Sequence, residues 1–241
     1  GAQFHESIKD CVQDCDAVIT IVGFPQDVEE VYFDQGNILD SAKKGAYLID
    51  MTTTSPQIAE KIYEEGTKRG FHVMDAPVTG GDTGAKAGTL SILVGGEKED
   101  YEACMPLFEA MGTNINYQGK AGCGQHCKLA NQIMIAGTLS GVCEALTYAK
   151  EQGLDPEVFM KSVATGAAGS KQLDTFGPKI LKDDYAPGFF MKHFIKDMKL
   201  AGEEGADRGL ELPVLQTVLA MFQQLDKAGY GDEGTQALIR K

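Results

Sequence analysis

A lysine and an asparagine three residues apart, behind two glycines, give Gly122-Cys123-Gly124-Gln125-His126-Cys127-Lys128-Leu129-Ala130-Asn131 an evident chemical capacity. The apolar run that follows has helical spacing, so Lys128 and Asn131 share one helix face, about one turn apart. Near a helix N-terminus the backbone dipole disfavours a cation, and burial disfavours it further. Both effects lower an amine's pKa toward the range useful for proton transfer. Asp75-Ala76-Pro77-Val78-Thr79-Gly80-Gly81 is a second such stretch. The backbone N–H groups of Thr79, Gly80 and Gly81, with the Thr79 hydroxyl, suit a carboxylate or a phosphate. Lys196-Asp197-Met198-Lys199-Leu200-Ala201 is the third, though two lysines at this spacing more often mark a solvated helix face. His126 and His193 lack companions at ligand spacing, so no metal site is expected.

The elements that must position these residues alternate in the first half of the chain. Apolar, β-branched runs at Ala17–Val22, Ala46–Asp50 and Phe71–Asp75 read as strands, the first of them buried on both faces. Helices are expected at Phe4–Cys15, Gln26–Phe33 and Gln57–Arg69, the last with Ser55 as N-cap and Pro56 at its first position. A glycine-rich loop over Ala76–Ala85, a strand at Thr89–Val94, a helix at Glu99–Met111 and a strand at Asn114–Tyr117 follow. The alternation predicts a doubly wound, parallel α/β sheet over residues 1–118. From residue 119 to 241 only helices are expected, led by a long one at Gln125–Gln152 and followed by Glu157–Ala164, Lys171–Leu181, Phe194–Arg208 and Pro213–Ala228. In such sheets ligands sit beyond the carboxyl ends of the strands, which draws attention to Val22–Phe24, Thr52–Ser55 and Ala76–Gly81.

Composition narrows the function classes. The net charge of −13 falls almost wholly in the first 118 residues, which argues against nucleic acid and anionic membrane as partners. The second half, near neutral, offers the lysines that a small anion would prefer. No uninterrupted apolar run is long enough to span a bilayer, and the first residues lack the apolar core of a signal peptide. The six cysteines are scattered and read as reduced, buried thiols of a cytoplasmic protein. Apolar faces on several of the C-terminal helices suggest assembly.

Together the three stretches resemble the β-hydroxyacid dehydrogenase family, which includes 3-hydroxyisobutyrate dehydrogenase and tartronate semialdehyde reductase and is related to 6-phosphogluconate dehydrogenase. The resemblance covers essentially the whole chain, with threonine at Thr79 where serine is commoner. It implies a Rossmann-type domain, an all-α domain and a long helix joining them. It also implies hydride exchange between NAD or NADP and a small β-hydroxyacid or its semialdehyde. Lys128 would be the general acid and base, and Asn131 would orient the substrate. Thr79, Gly80 and Gly81 would hold the substrate carboxylate. Val22, Gly23, Asp27 and Thr53 match positions lining the cofactor cleft, and Lys196 matches a cofactor-binding lysine. A homodimer or homotetramer through the helical domain is implied as well.

This sequence departs from the family pattern at its start, with no Gly-x-Gly-x-x-Gly turn before Ala17–Val22, so the first βαβ unit is missing. The residue that selects NAD or NADP would lie upstream of Gly1. A 6-phosphogluconate-type enzyme needs a much longer helical domain, and imine reductases usually lack the lysine. The rival reading is a non-catalytic family member acting as a binding module. Phe189, Phe190, Met191 and Asp232 are candidates for sizing the substrate tail.

Overall fold

In a computed structural model, which describes residues 2–241, the chain forms two compact units that divide after Lys128. The first unit is built on a six-stranded sheet. Strands β1 (Ala17–Thr20), β2 (Tyr47–Asp50) and β3 (His72–Asp75) lie side by side and parallel. Successive side chains point to opposite faces. Leu48 and Val73 enter a core with Val18, Val28, Tyr32 and Ile62, while Ile49 and Met74 enter another with Ile92, Val94 and Phe108. The helices between these strands, α2 (Pro25–Phe33) and α4 (Pro56–Lys68), carry Val28, Tyr32 and Ile62 into the first core. Short helices α1 (Ile8–Val12) and α3 (Ile38–Ser41) complete that side.

The structure departs from four expectations. Strand β1 is not buried on both faces: Ile19 is 41% exposed, because β1 ends the sheet order and its other face lacks a covering layer among the described residues. The sheet is mixed rather than wholly parallel. Beyond β3, the chain forms β4 (Val78–Thr79), a short helix α5 (Gly81–Ala87) and β5 (Leu90–Gly96), which runs antiparallel to both β3 and β4. The connection Gly80–Thr89 is too short for the crossover that a parallel neighbour requires. The glycine-rich stretch is therefore a strand end and a helix rather than a loop. The helix expected at Glu99–Met111 is two, α6 (Lys98–Ala103) and α7 (Met105–Glu109), before β6 (Gly112–Gly119) pairs parallel with β5. Pro106 explains the break, since its ring cannot continue a preceding helix.

Helix α8 (Cys123–Glu151) begins in the first unit and continues into the second. It is followed there by α9 (Pro156–Ala164), α10 (Lys171–Ile180), α11 (Met191–Asp207) and α12 (Pro213–Leu225). Leu129, Ala136, Leu139, Val142, Cys143 and Leu146 of α8 share a core with Phe194 and Met198 of α11 and Val218 and Phe222 of α12. Ser55 and Asp155 cap α4 and α9 by accepting the N–H groups of Ile58 and Val158. Helix α8 has 29 residues and contains an 18-residue window with a mean hydropathy of 1.2, so it is long and apolar enough to cross a membrane by length and composition alone. Its apolar face instead belongs to this helical core. A count of uninterrupted apolar runs overlooks it because Gln125, Lys128, Gln132 and Glu144 punctuate the helix.

Glycine is required where α8 starts. A Cβ on Gly124 would lie 2.3 Å from the carbonyl oxygen of Leu93 and 2.7 Å from Asp75 Oδ2, both rigidly held. Gly124→Ala should therefore destabilise the protein by about 1–3 kcal/mol, read as a lowered Tm. An unchanged Tm would mean that the helix start can move away from the sheet.

Candidate active site

Strands β1, β2 and β3 end in register, with Thr20 beside Asp50 and Asp50 beside Asp75. All three side chains are buried, so a polar row crosses the sheet just below the strand-end loops. Asp50 Oδ1 accepts the Thr20 hydroxyl at 2.9 Å and the Thr52 N–H at 3.1 Å. With its proton committed to Asp50, Thr20 accepts the phenol of Tyr32 at 3.0 Å. Asp50 Oδ2 has no hydrogen-bond partner. Burial pushes the Asp50 carboxyl up to about 6; bonds from Thr52 and Thr20 oppose the rise, and nearby Asp75 adds to it.

Asp75 closes the row from the other side. Its Oδ1 accepts the N–H of Gly122 and its Oδ2 that of Gln125, both at 2.8 Å, so it ties down the N-terminal N–H groups of α8. Burial pushes the Asp75 carboxyl above its ordinary range, against the pull of these N–H groups. Gln125 follows on α8, fully buried. Its Oε1 accepts the Thr54 N–H at 3.0 Å, and its Nε2 donates to the Thr52 carbonyl at 2.8 Å. Thr52 Oγ1 in turn accepts the N–H of Val22 at 2.9 Å. The ends of β1, β2 and β3 and the first turn of α8 thus form one hydrogen-bonded assembly.

Of the expected site residues of the first unit, Val22, Gly23, Asp27 and Thr53 lie in or just after the loops of this assembly, whereas Thr79 pairs with Ser91, four residues along β5 from Gly95, the partner of Asp75. Val22, Gly23 and Thr53 are partly exposed in the loops after β1 and β2. Asp27 accepts the N–H of Phe24 at 2.8 Å and so fixes the start of α2. Thr79 ends β4, and Gly80 and Gly81 follow, exposed, with φ of 134° and 65°. A side chain at either glycine would be strained. Lys128, one turn beyond Gln125, is only 7% exposed. The thiols are all free, but only Cys104 and Cys143 are buried; burial raises them to about 11 and about 12, and Cys11 is exposed. The expectation of buried thiols thus holds for Cys104 and Cys143, while Cys15, Cys123 and Cys127 are partly exposed.

In the second unit, the expected residues are joined by two that the sequence did not single out. Asn131 Nδ2 donates to Gln132 Oε1 at 2.8 Å, Gln132 Nε2 donates to Asp197 Oδ2 at 2.6 Å, and Asp197 Oδ1 pairs with Lys196 at 3.0 Å. Gln132 and Asp197 are each 1% exposed. Lys199 is solvated and Lys196 largely is not, so the two lysines differ in kind. Of the tail-sizing candidates, Met191 is fully buried in the helical core, Phe190 is exposed, and Asp232 pairs with Lys192 at 2.7 Å. Met191 is therefore a packing residue. Among the described residues, no three His, Cys, Asp or Glu side chains gather as metal ligands would.

The strand-end loops fit part of a nicotinamide cofactor, for partly exposed backbone and hydroxyl groups lie where open α/β sheets take dinucleotides. Gly229-x-Gly231-x-x-Gly234 has the spacing of a phosphate-gripping turn, but it follows α12 rather than a strand, so the phosphates have no such grip there.

Residues 1–119 match the family profile described as the NAD binding domain of 6-phosphogluconate dehydrogenase. Residues 122–241 match that described as NAD-binding of NADP-dependent 3-hydroxyisobutyrate dehydrogenase. An uncharacterized oxidoreductase of Bacillus subtilis, YkwC, is 50% identical over all of this chain and 83% of its own length. A probable 3-hydroxyisobutyrate dehydrogenase-like protein of Arabidopsis thaliana, described as mitochondrial, is 43% identical over 99% of this chain and 72% of its own. The structure of Mycobacterium tuberculosis 3-hydroxyisobutyrate dehydrogenase with L-serine superposes with a TM-score of 0.88. It is 27% identical and covers 98% of this chain and 82% of that one. Fold and profiles define a Rossmann-type oxidoreductase that uses NAD or NADP. The chain belongs to the β-hydroxyacid dehydrogenase family, whose members here support NAD(P)-dependent oxidation of hydroxyacids.

The buried Asp50 gives a pH signature. Between the unfolded pKa of about 4 and the folded value near 6, the folded state keeps a proton that the unfolded state has lost. Stability therefore falls as pH rises through that window. Asp50→Asn keeps an acceptor for Thr20 and Thr52 but does not titrate. Its stability relative to the parent should improve by on the order of 2 kcal/mol between about pH 4 and pH 7, read from urea melts. A difference independent of pH would contradict this.

Proposed function

We propose that this protein exchanges a hydride between NAD or NADP and a small β-hydroxyacid or its semialdehyde, with Lys128 as general acid and base. The observation that carries the proposal is Lys128 itself, 7% exposed in the opening turns of α8. A lysine there opposes the helix dipole and is almost wholly withdrawn from water, which supports a chemical role for it. The bound nicotinamide supplies or accepts the hydride. In the reducing direction Lys128 Nζ gives its proton to the carbonyl oxygen; in oxidation it takes the proton from the hydroxyl. Asn131, three residues on along the same helix, orients the substrate.

The backbone N–H groups of Thr79, Gly80 and Gly81, with the Thr79 hydroxyl, hold the substrate carboxylate. Positive φ at Gly80 and Gly81 leaves the backbone open to an incoming group, which supports this role. Asp82 follows at once and repels anions, but its charge is offset by Lys86 at 3.1 Å. Val22, Gly23, Asp27 and Thr53 line the cofactor cleft. Lys196 is the cofactor-binding lysine of this reading. The cofactor-binding domain spans residues 1–118, and residues 119–241 form the domain for substrate and assembly. L-Serine, named with the related mycobacterial structure, is a β-hydroxy acid of suitable size and a sensible first substrate to try.

A homodimer or homotetramer through the helical unit is part of this reading. Exposed Met134, Tyr148 and Val214 support it, as apolar side chains that another copy would cover. The partners are then a small carboxylate and other copies of the chain. Six free thiols fit a reducing compartment such as the cytoplasm.

An initial-rate screen of small β-hydroxyacids, L-serine included, against NAD and NADP tests the function in the full-length protein. Lys128→Ala should lower kcat by about 10²–10⁴-fold while leaving the melting curve and cofactor affinity close to the parent's. A normal kcat would reject the role of Lys128, and a parent without turnover would favour a non-catalytic binding module. Thr79→Ala should raise KM for the acid about ten-fold with a smaller effect on kcat, as loss of a ground-state contact does. The reverse pattern would remove Thr79 from substrate binding.

A further inference from the structure

Gln125 stands three residues before Lys128 on α8, and none of its surface is exposed. A buried amide must satisfy both of its ends. Here both ends meet backbone of the loop after β2: Oε1 accepts from Thr54 N–H, and Nε2 donates to the Thr52 carbonyl. Each partner has a fixed polarity, so the amide can be seated only one way. The two bonds straddle Thr53, and Thr52 passes the constraint to Val22. The other end of the lever is equally fixed, because the Gln125 N–H is held by Asp75.

We propose that Gln125 is a positioning residue for the reaction: its amide sets the Thr52–Thr54 loop, and through it Val22, in register with Lys128. This rests on the roles proposed above for Lys128 and the strand-end loops. A nicotinamide cofactor seated on the loop is thereby held at a fixed place relative to the proton donor. Such a buried two-point clamp is more than packing requires, since an apolar side chain of the same length would fill the space without fixing the loop's polarity.

Two variants of the full-length protein test the proposal, Gln125→Met and Gln125→Glu. The readouts are Tm, Kd for NADH and NADPH by nucleotide fluorescence, which requires no substrate, and kcat with the best acid. Gln125→Met keeps length and burial but loses both bonds; Kd for the preferred nucleotide should rise about ten-fold with kcat also reduced. Gln125→Glu carries the sharper signature. Its ionised carboxylate still accepts from Thr54 but opposes the Thr52 carbonyl. Once protonated, it donates to Thr52 and accepts from Thr54, as the glutamine does. Buried carboxyls titrate several pH units above 4, so nucleotide affinity should be weak near pH 8 and recover toward the parent's near pH 6. The parent and Gln125→Met should show only the smaller change that Asp50, bonded to Thr52 and titrating near 6, contributes to each.

A folded Gln125→Met with Kd and kcat within about two-fold of the parent would overturn the proposal. So would a Gln125→Glu whose affinity follows the parent's pH dependence. Normal turnover in Lys128→Ala would instead sink the catalytic reading, and the nucleotide affinities of the Gln125 variants would still judge the clamp.

Discussion

The first unit depends on a carboxylate that faces a helix N-terminus from inside a sheet. Asp75 ends β3 and accepts the N–H groups of Gly122 and Gln125, so α8 can start only where the sheet dictates. That contact requires Gly95 and Gly124, whose absent side chains let α8 come down on β3 and β5. It requires burial, which raises the carboxyl's pKa, and the helix N–H groups in turn favour the ion. Stability and site geometry are consequently set by the same few atoms. Lys128, a turn further along, inherits its position from Asp75.

A second consequence is that the strand-end loops and the start of α8 are not independent. The strand-end loops are bound to one another through Thr52 and Gln125, and the polar row Thr20–Asp50–Asp75 supports them from below. In the second unit the same logic recurs with other residues, as Gln132 and Asp197 join Asn131 to Lys196. Buried polar networks of this kind are costly when incomplete and rigid when complete. The orphaned Oδ2 of Asp50 and Oγ1 of Thr54 mark places where completeness was not achieved.

Sequence pattern made the elements legible because their causes are local. The β-branched runs of β1, β2 and β3, the Ser55-Pro56 and Asp155-Pro156 starts and the helical period of α8 each follow from neighbours in the chain. The strand direction of β5 was not legible, since it depends on where a chain reversed at Gly80–Thr89 finds a free edge. Lys128, Asn131 and Lys196 stood out as charged or polar residues within helical patterns. Asp75, Gln125, Gln132 and Asp197 did not, because their partners lie 47 to 73 residues away and no spacing rule joins them. One signal was available: Thr20, Asp50 and Asp75 each place a polar residue in or at the end of an apolar strand, the edge where open sheets bind ligands.

Chemical rescue tests proton transfer by Lys128 without reference to packing. Lys128→Ala leaves a space where the ammonium stood, and small primary amines added to the assay can enter it. If Lys128 moves the proton, turnover returns in proportion to amine concentration, with a rescue rate that varies systematically with amine basicity, as general acid–base catalysis requires. Amine-dependent rates that are flat across the basicity series would contradict it, and would assign Lys128 to binding rather than to proton transfer.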